Sequence, residues 1–275
     1  LPLYFAFVLT VQPMTIVPTA FTSLLLAAGM LFSTPVANSR ALPPTKPTFD
    51  SRKALYTAAF EQHVVSSYLK AKLVNYGVPA NVYREALMGY YALSQRGQVA
   101  PSQHTLTIID FGRPSRQKRL WVIDLKKQAV LFHTLVAHGK NTGADLAQNF
   151  SNQEGSEKSS LGFFVTGQTY QGKHGLSLKI HGQDPGYNTN AASRSVVVHG
   201  ADYVSEDFVR QHGRLGRSQG CPALPVNQSS AVIRAIKGGS VLFAHGPEDV
   251  RYHSNWLQLD PALMAFAQQQ GLAGS

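Results

Sequence analysis

The chain has 275 residues, 44% hydrophobic and 15% charged, which excludes a disordered polymer and leaves enough apolar side chains to fill the core of one or two domains. Lys and Arg number 25 against 15 Asp and Glu, a formal net charge of +10 that attracts anionic partners and is screened by salt. The basic residues are dispersed, with no finger, basic zipper or aromatic RNA-binding signature, so nucleic acid is set aside as a partner.

Residues 1–39 carry no charge, and 21–32 (FTSLLLAAGMLF) form an apolar run followed by Ser33, Thr34 and Pro35. That is the pattern of a secretory signal peptide or an uncleaved membrane anchor, and it predicts a periplasmic or cell-envelope location. Residues 40–49 (RALPPTKPTF) contain three prolines and read as a linker. From Asp50 or Ser51, either able to cap, Tyr56, Phe60, Val64 and Tyr68 recur every four residues and predict a helix running toward Gly77 and Pro79. A second helix is predicted from about Pro79–Asn81 to Gly97, with Val82, Ala86, Tyr90 and Leu93 on one face. Residues 50–100 thus make an N-terminal helical segment whose apolar faces must pack on the domain that follows.

From His104 the pattern changes to short β runs. HTLTIID, RLWVIDL from Arg119 and AVLFHTLVA from Ala129 predict three strands, the last two joined as a hairpin through Lys126–Gln128. The polar stretch 139–160 predicts a long surface loop, a length more often functional than not. Further strands are expected at LGFFVTG from Leu161, LSLKI from Leu176, SVVVHG from Ser195 and SVLFAHG from Ser240. Helices are expected over 201–212 and from Asn227, as the cap, to Gly238. The expected fold is mainly β with flanking helices, a domain spanning 101–250 with 251–275 as a C-terminal tail.

The only cysteine, Cys221, lies in GRSQGCPALP. One cysteine cannot form an internal disulfide, so an exported chain carries a free thiol, which favours a working group over an idle one. A nucleophilic cysteine needs help to ionise, since a free thiol is only a few per cent thiolate at neutral pH. Arg214 and Arg217 precede it and can supply positive potential if the turn folds back, Ser218 can fix the turn, and the N–H groups of Gly220 and Cys221 can form an oxyanion hole. Six of the ten histidines are followed by glycine, so the dipeptide does not choose the base. His199 ends an apolar strand 22 residues before Cys221, and the carbonyl of Gly200 or another backbone acceptor can orient its ring. The bland alternative is a buried small-hydrophobe cysteine and a structural histidine. A rival set, His138 and Asp145 with a later histidine, would suit a zinc-dependent hydrolase, although no HExxH or close His/Cys cluster supports it.

The stretches IIDFGRPSRQKRLWVIDL, LVAHGKNTGAD, SSLGFFVTGQTYQGKHGLSL, SVVVHGADYVSEDFV and GRLGRSQGCPALP resemble the murein L,D-transpeptidase (YkuD-like) superfamily, and more closely its divergent branch of the murein L,D-transpeptidase catalytic-domain type. The resemblance implies a β-sandwich-like domain without metal or organic cofactor. It implies Cys221 as nucleophile, His199 as general base, Gly200 as the carbonyl that orients it, and Ser218, Gln219 and Gly220 as the oxyanion turn. His138, Tyr170, His174, His181 and Arg217 are the candidate substrate-binding residues. The usual superfamily turn has histidine where Gln219 stands and an arginine two positions after the cysteine, where this chain has Pro222 and Ala223.

The expected activity is a peptidoglycan L,D-transpeptidase acting on stem peptides through a thioester, with other cell-wall components as further candidate partners and any membrane contact confined to the N-terminal anchor. The alternatives are an L,D-carboxypeptidase or endopeptidase using water as acceptor, a non-catalytic wall-binding domain, and the zinc hydrolase.

Overall fold

The computed structural model describes residues 48–273. The expected signal or anchor segment and nearly all of the linker lie outside them. Helix α1 spans Phe49–Lys70 and is capped by Thr48, whose side chain accepts from the Ser51 N–H at 3.4 Å. The cap is therefore earlier than Asp50 or Ser51, because Thr48 is the residue with extended backbone, at φ −74° and ψ 166°. Helix α1 stops at Lys70, with Lys72 in the left-handed region at φ 52°, and a 3₁₀ turn over Leu73–Tyr76 leads to α2, Ala80–Gln95.

Eight strands follow: β1 Thr105–Asp110, β2 Leu120–Asp124, β3 Ala129–Thr134, β4 Gly162–Gly172, β5 Gly175–Gly182, β6 Val197–Gly200, β7 Ala223–Leu224 and β8 Val241–His245. They form one sheet in the order β3-β2-β1-β8-β4-β5-β6-β7, in which β1–β8 and β6–β7 are parallel and the other pairs antiparallel. The sheet curls until its two ends meet. Just past β3, the Ala137 N–H donates to the Ala223 carbonyl at 2.9 Å, which nearly closes a barrel beside β7.

Alternation along the strands builds two cores. Leu106, Ile108, Trp121, Ile123, Phe163, Val241 and Phe243 point to one face, where Phe60, Tyr83, Leu87 and Leu93 of α1 and α2 cover them. Each such side chain, when fully buried, contributes about 1.5–3 kcal/mol. The same layer contains Leu263 and Phe266 of helix α5, Leu259–Gln269, so the segment after 250 adds a packed helix to the layer and is not merely a tail. The in-between residues Ile109, Leu120, Val122, Phe164, Leu242 and Ala244 point the other way, against Val232, Ile233 and Ile236 of helix α4, Val226–Ile236.

Three local expectations change. Helix α3 covers only Glu206–His212, capped by Ser205, because the Ala201 N–H is drawn to the Leu224 carbonyl and keeps the preceding residues extended. Helix α4 starts directly after Pro225, with no side-chain cap, so Asn227 lies inside its first turn. The 139–160 loop has no strand or helix, as its composition suggests, yet it is not simply a surface feature: Thr142, Ala147, Ser159 and Ser160 are buried.

Candidate active site

Strands β6 and β7 lie parallel with His199 opposite Ala223, which sets the histidine and the turn bearing Cys221 side by side. A cleft of about 450 Å³ opens there, lined by Tyr170, His174, His199, Ser218, Gln219 and Cys221, with Lys173, Tyr203 and Arg217 also in its lining. No carboxylate lines it.

The cysteine turn is held from inside and from behind. Ser218 Oγ accepts from the Gly220 N–H at 3.1 Å and donates to the Cys221 carbonyl at 2.6 Å. The Ser218 N–H donates to the His138 carbonyl, and Ser159 Oγ of the long loop donates to the Gly220 carbonyl at 3.1 Å. Gly220 has φ +119°, and a Cβ there would stand 2.8 Å from the Lys158 carbonyl oxygen, so this position requires glycine. The Gly220 N–H is occupied by Ser218, so of the two expected oxyanion donors only the Cys221 N–H has no partner among the described residues.

His199 is 4% exposed, and its Nδ1–H donates to the Gly200 carbonyl at 2.9 Å. That bond leaves Nε2 with a lone pair. Burial lowers the His199 pKa, the Gly200 carbonyl opposes this, and neighbouring His174 reinforces it, so the ring is neutral at neutral pH. The His174 ring, on the β4–β5 turn, stacks on it with centroids 4.5 Å apart and 24° between planes. Gly200 is needed for a second reason: a Cβ would come within 2.6 Å of Ser229 Oγ on α4.

The thiol is turned toward the backbone before β6. Its Sγ accepts from the Val197 N–H at 3.4 Å and donates to the Ser195 carbonyl at 3.7 Å. Burial pushes the Cys221 pKa up, while the Val197 N–H and the Arg194 guanidinium pull it down. The same pocket raises the Tyr203 hydroxyl to about 12, by burial first and by proximity to Cys221 second.

The other expected site residues divide clearly. Tyr170, His174, Gln219 and Arg217 line the cleft. Arg217 is tied to the Lys140 and Gly143 carbonyls at 3.2 and 3.1 Å, and Arg214 to the carbonyl of Leu215 at 2.7 Å. The cation acting on the thiol is instead Arg194, which no motif signals; only its place just before the SVVVHG strand marks it. His181 is exposed on β5 opposite Val165, outside the cleft lining. His138 is fully buried rather than facing substrate: Nδ1 accepts from Arg119 at 2.8 Å and Nε2–H donates to the Gly143 carbonyl at 3.3 Å. Asp145 is engaged by Ser115 and Arg116, and among the described residues no group of three His, Cys, Asp or Glu side chains is placed to hold a metal ion. The His138–Asp145 zinc set is therefore not assembled.

A cysteine on a tight turn set beside a backbone-oriented histidine at the end of a strand is an arrangement suited to covalent acyl transfer. The chain belongs to the L,D-transpeptidase catalytic-domain family, whose model matches residues 74–245. Comparison with curated proteins gave no match. Among solved structures, it is similar to an L,D-transpeptidase from Mycobacterium smegmatis, at 13% identity and a TM-score of 0.34 over 52% of this chain and 59% of that one. It is also similar to the helical cell shape determining protein Pgp2 from Campylobacter jejuni, at 15% identity and a TM-score of 0.37 over 68% of this chain and 65% of that one. The chain thus spans less than two thirds of the length of either.

Proposed function

We propose that this protein is an exported, cysteine-dependent peptidoglycan L,D-transpeptidase. Cys221 attacks the carbonyl that follows an L-centre in a stem peptide, the terminal D-residue leaves as the amine, and a thioester remains on the enzyme. His199 takes the thiol proton through Nε2 and passes it to the leaving amine, and the Cys221 N–H lies beside the developing oxyanion. An amine acceptor then resolves the thioester into a new peptide bond, whereas water would release a carboxylic acid.

The observation that carries this reading is the hydrogen bond from His199 Nδ1 to the Gly200 carbonyl, in the same cleft as the only cysteine of a chain from this family. A cleft lined by Lys173 and Arg217 and by no carboxylate suits a substrate bearing carboxylates. Such a substrate lies beyond the cytoplasmic membrane, and the uncharged apolar stretch at 1–39 supports export.

The test is intact-protein mass after brief incubation with a disaccharide-tetrapeptide. Wild type should gain an adduct equal to the substrate less its terminal D-residue, and Cys221→Ala should gain none. A folded wild-type protein that gains no adduct and releases no product would shift the reading to a non-catalytic wall-binding domain. Supplying an amine alongside water, and weighing the two products, identifies the acceptor.

A further inference from the structure

The turn of this chain has no arginine after its cysteine, since Pro222 and Ala223 follow, yet a guanidinium still reaches the turn from another element. Arg194 precedes β6. Its Nη1 donates to the Ser151 carbonyl at 2.7 Å and Ser160 Oγ at 2.6 Å, and its Nη2 to the Lys158 carbonyl at 2.6 Å and Ser156 Oγ at 3.2 Å. A Cβ built on Gly220 would stand 3.3 Å from Nη2, so the guanidinium lies directly against the residue before Cys221.

All four acceptors are neutral. Among the described residues Arg194 makes no ion pair, unlike Arg84, Arg113, Arg116 and Arg210, each of which meets a carboxylate. A part-buried cation that has no anion keeps its field for whatever anion forms beside it. Glu157, between two of those acceptors, is paired with Lys140 instead, and the group on the turn beside Arg194 that can become an anion is the thiol. The same segment supplies the Val197 N–H that donates to Sγ, and then His199 and Gly200.

We infer that Arg194 is a positioning residue for the Cys221 thiolate: its uncompensated guanidinium, fixed by the 151–160 loop, holds the anion while the Val197 N–H solvates it and His199 accepts the proton. This rests on the reading of Cys221 as the nucleophile, and it names the charge that reading requires. The balance is simple. The thiol loses its proton to His199 Nε2, and the negative charge left on Sγ sits one residue beyond Gly220, against which the Arg194 guanidinium packs. The other titratable groups lining the cleft with the thiol and His199 are His174 from the β4–β5 turn, Tyr203 after β6, Lys173 and Arg217, none of them a carboxylate.

The experiment is the pH dependence of Cys221 alkylation by iodoacetamide in the full-length protein, which needs no peptidoglycan and so separates this inference from the assigned reaction. Arg194→Gln should raise the alkylation midpoint by about one pH unit and slow alkylation at pH 7 about tenfold, with the thiol still fully reactive at high pH. Arg194→Lys should restore most of the lower midpoint, a rescue that a purely structural role for the hydrogen-bonding fork would not give. A folded Arg194→Gln protein with the wild-type profile overturns the inference. If the Gln protein does not fold, the Lys protein decides alone: a midpoint that stays low supports the inference, and one that rises by about a unit overturns it. An intact alkylation result together with no acyl adduct from the disaccharide-tetrapeptide would reject the reaction and keep Arg194.

Discussion

His199 donates its Nδ1 proton to the carbonyl of the very next residue, Gly200, at 2.9 Å. A backbone carbonyl cannot take that proton, so it fixes the tautomer as a carboxylate does in a Ser/His/Asp triad but without adding a negative charge that would raise the ring's pKa. Burial lowers the His199 pKa for the same reason that it is rigid. The ring is thus neutral at neutral pH and stays so in mild acid, the state that the proposed role as base requires.

The kinetic consequence has a definite sign. As pH falls, the rate of acyl-enzyme formation should hold through 6.5, the ordinary histidine value, and decline only below it. His199→Gln should lower that rate by about 10²–10⁴-fold with the fold intact. Quenched-flow mass measurement across pH 4–8 (an approximate window around the histidine range) checks both. An acid limb centred above 6.5 would remove His199 as the base.

Ser218 ties the turn with two hydrogen bonds, and it is only 6% exposed. Ser218→Ala leaves the Gly220 N–H and the Cys221 carbonyl without that partner, which should cost about 1–3 kcal/mol. Urea unfolding gives the stability change. Acylation should fall by more than stability does, since the turn that aims the thiol loosens while most of the protein remains folded.

His138 gives the stability of the protein a pH dependence. Burial, the adjacent Arg119 cation and Arg217 lower its pKa, against the pull of the Gly143 and Ala144 carbonyls, to about 4 from 6.5. Unfolded chain binds a proton as pH drops below 6.5, while folded chain resists until about 4, so this contribution is complete above 6.5 and is lost as pH falls through that window. Its size is on the order of 3 kcal/mol. Thermal melts from pH 7 to pH 4 (a roughly chosen range) should show the loss, and His138→Gln, which keeps a donor and an acceptor but does not titrate, should flatten it.

The helical layer is part of the fold's interior surface. Gly89 of α2 faces the Phe163 ring of β4 so closely that any Cβ would overlap it. Gly89→Ala should therefore destabilise by about 1–3 kcal/mol through overpacking. Removing α1 and α2 altogether would uncover Trp121, Phe163 and Phe243, and the remaining domain should aggregate instead of turning over substrate. A soluble, active truncation, seen by size-exclusion chromatography and the mass assay, would show the helices to be a dispensable spacer.

The strands were readable as short apolar runs, because β1, β2 and β8 are buried on both faces, and α1 by the period of four in Tyr56, Phe60 and Val64. Three kinds of feature escaped. Strand β7 is two residues long, too short to carry a period, and is defined only by its partners His199, Gly200 and Ala137. Helix α5 has a readable apolar face in Leu263 and Phe266, but its place in the first core depends on α1 and α2. At the site, Cys221 and His199 stood out by residue type and strand position, whereas Arg194 did not, because its role comes from which loop it grips. His138 misled for the converse reason. A polar loop suggests exposure, and only the buried Arg119, itself lowered to about 9, explains why a histidine at that point is interior.

The hoop of strands fastens at two bridges that flank the thiol, Ala137 to Ala223 and Gly139 to Ser218, and the strand in that clasp is two residues long. Warming should spring that clasp before it disturbs the helix-covered layers, where the larger aromatic side chains are sealed. The thiol's setting then slackens while the ellipticity and tryptophan signals still look native. Heat should therefore silence this protein some degrees before it melts it, and cooling should bring the function back without any need to refold.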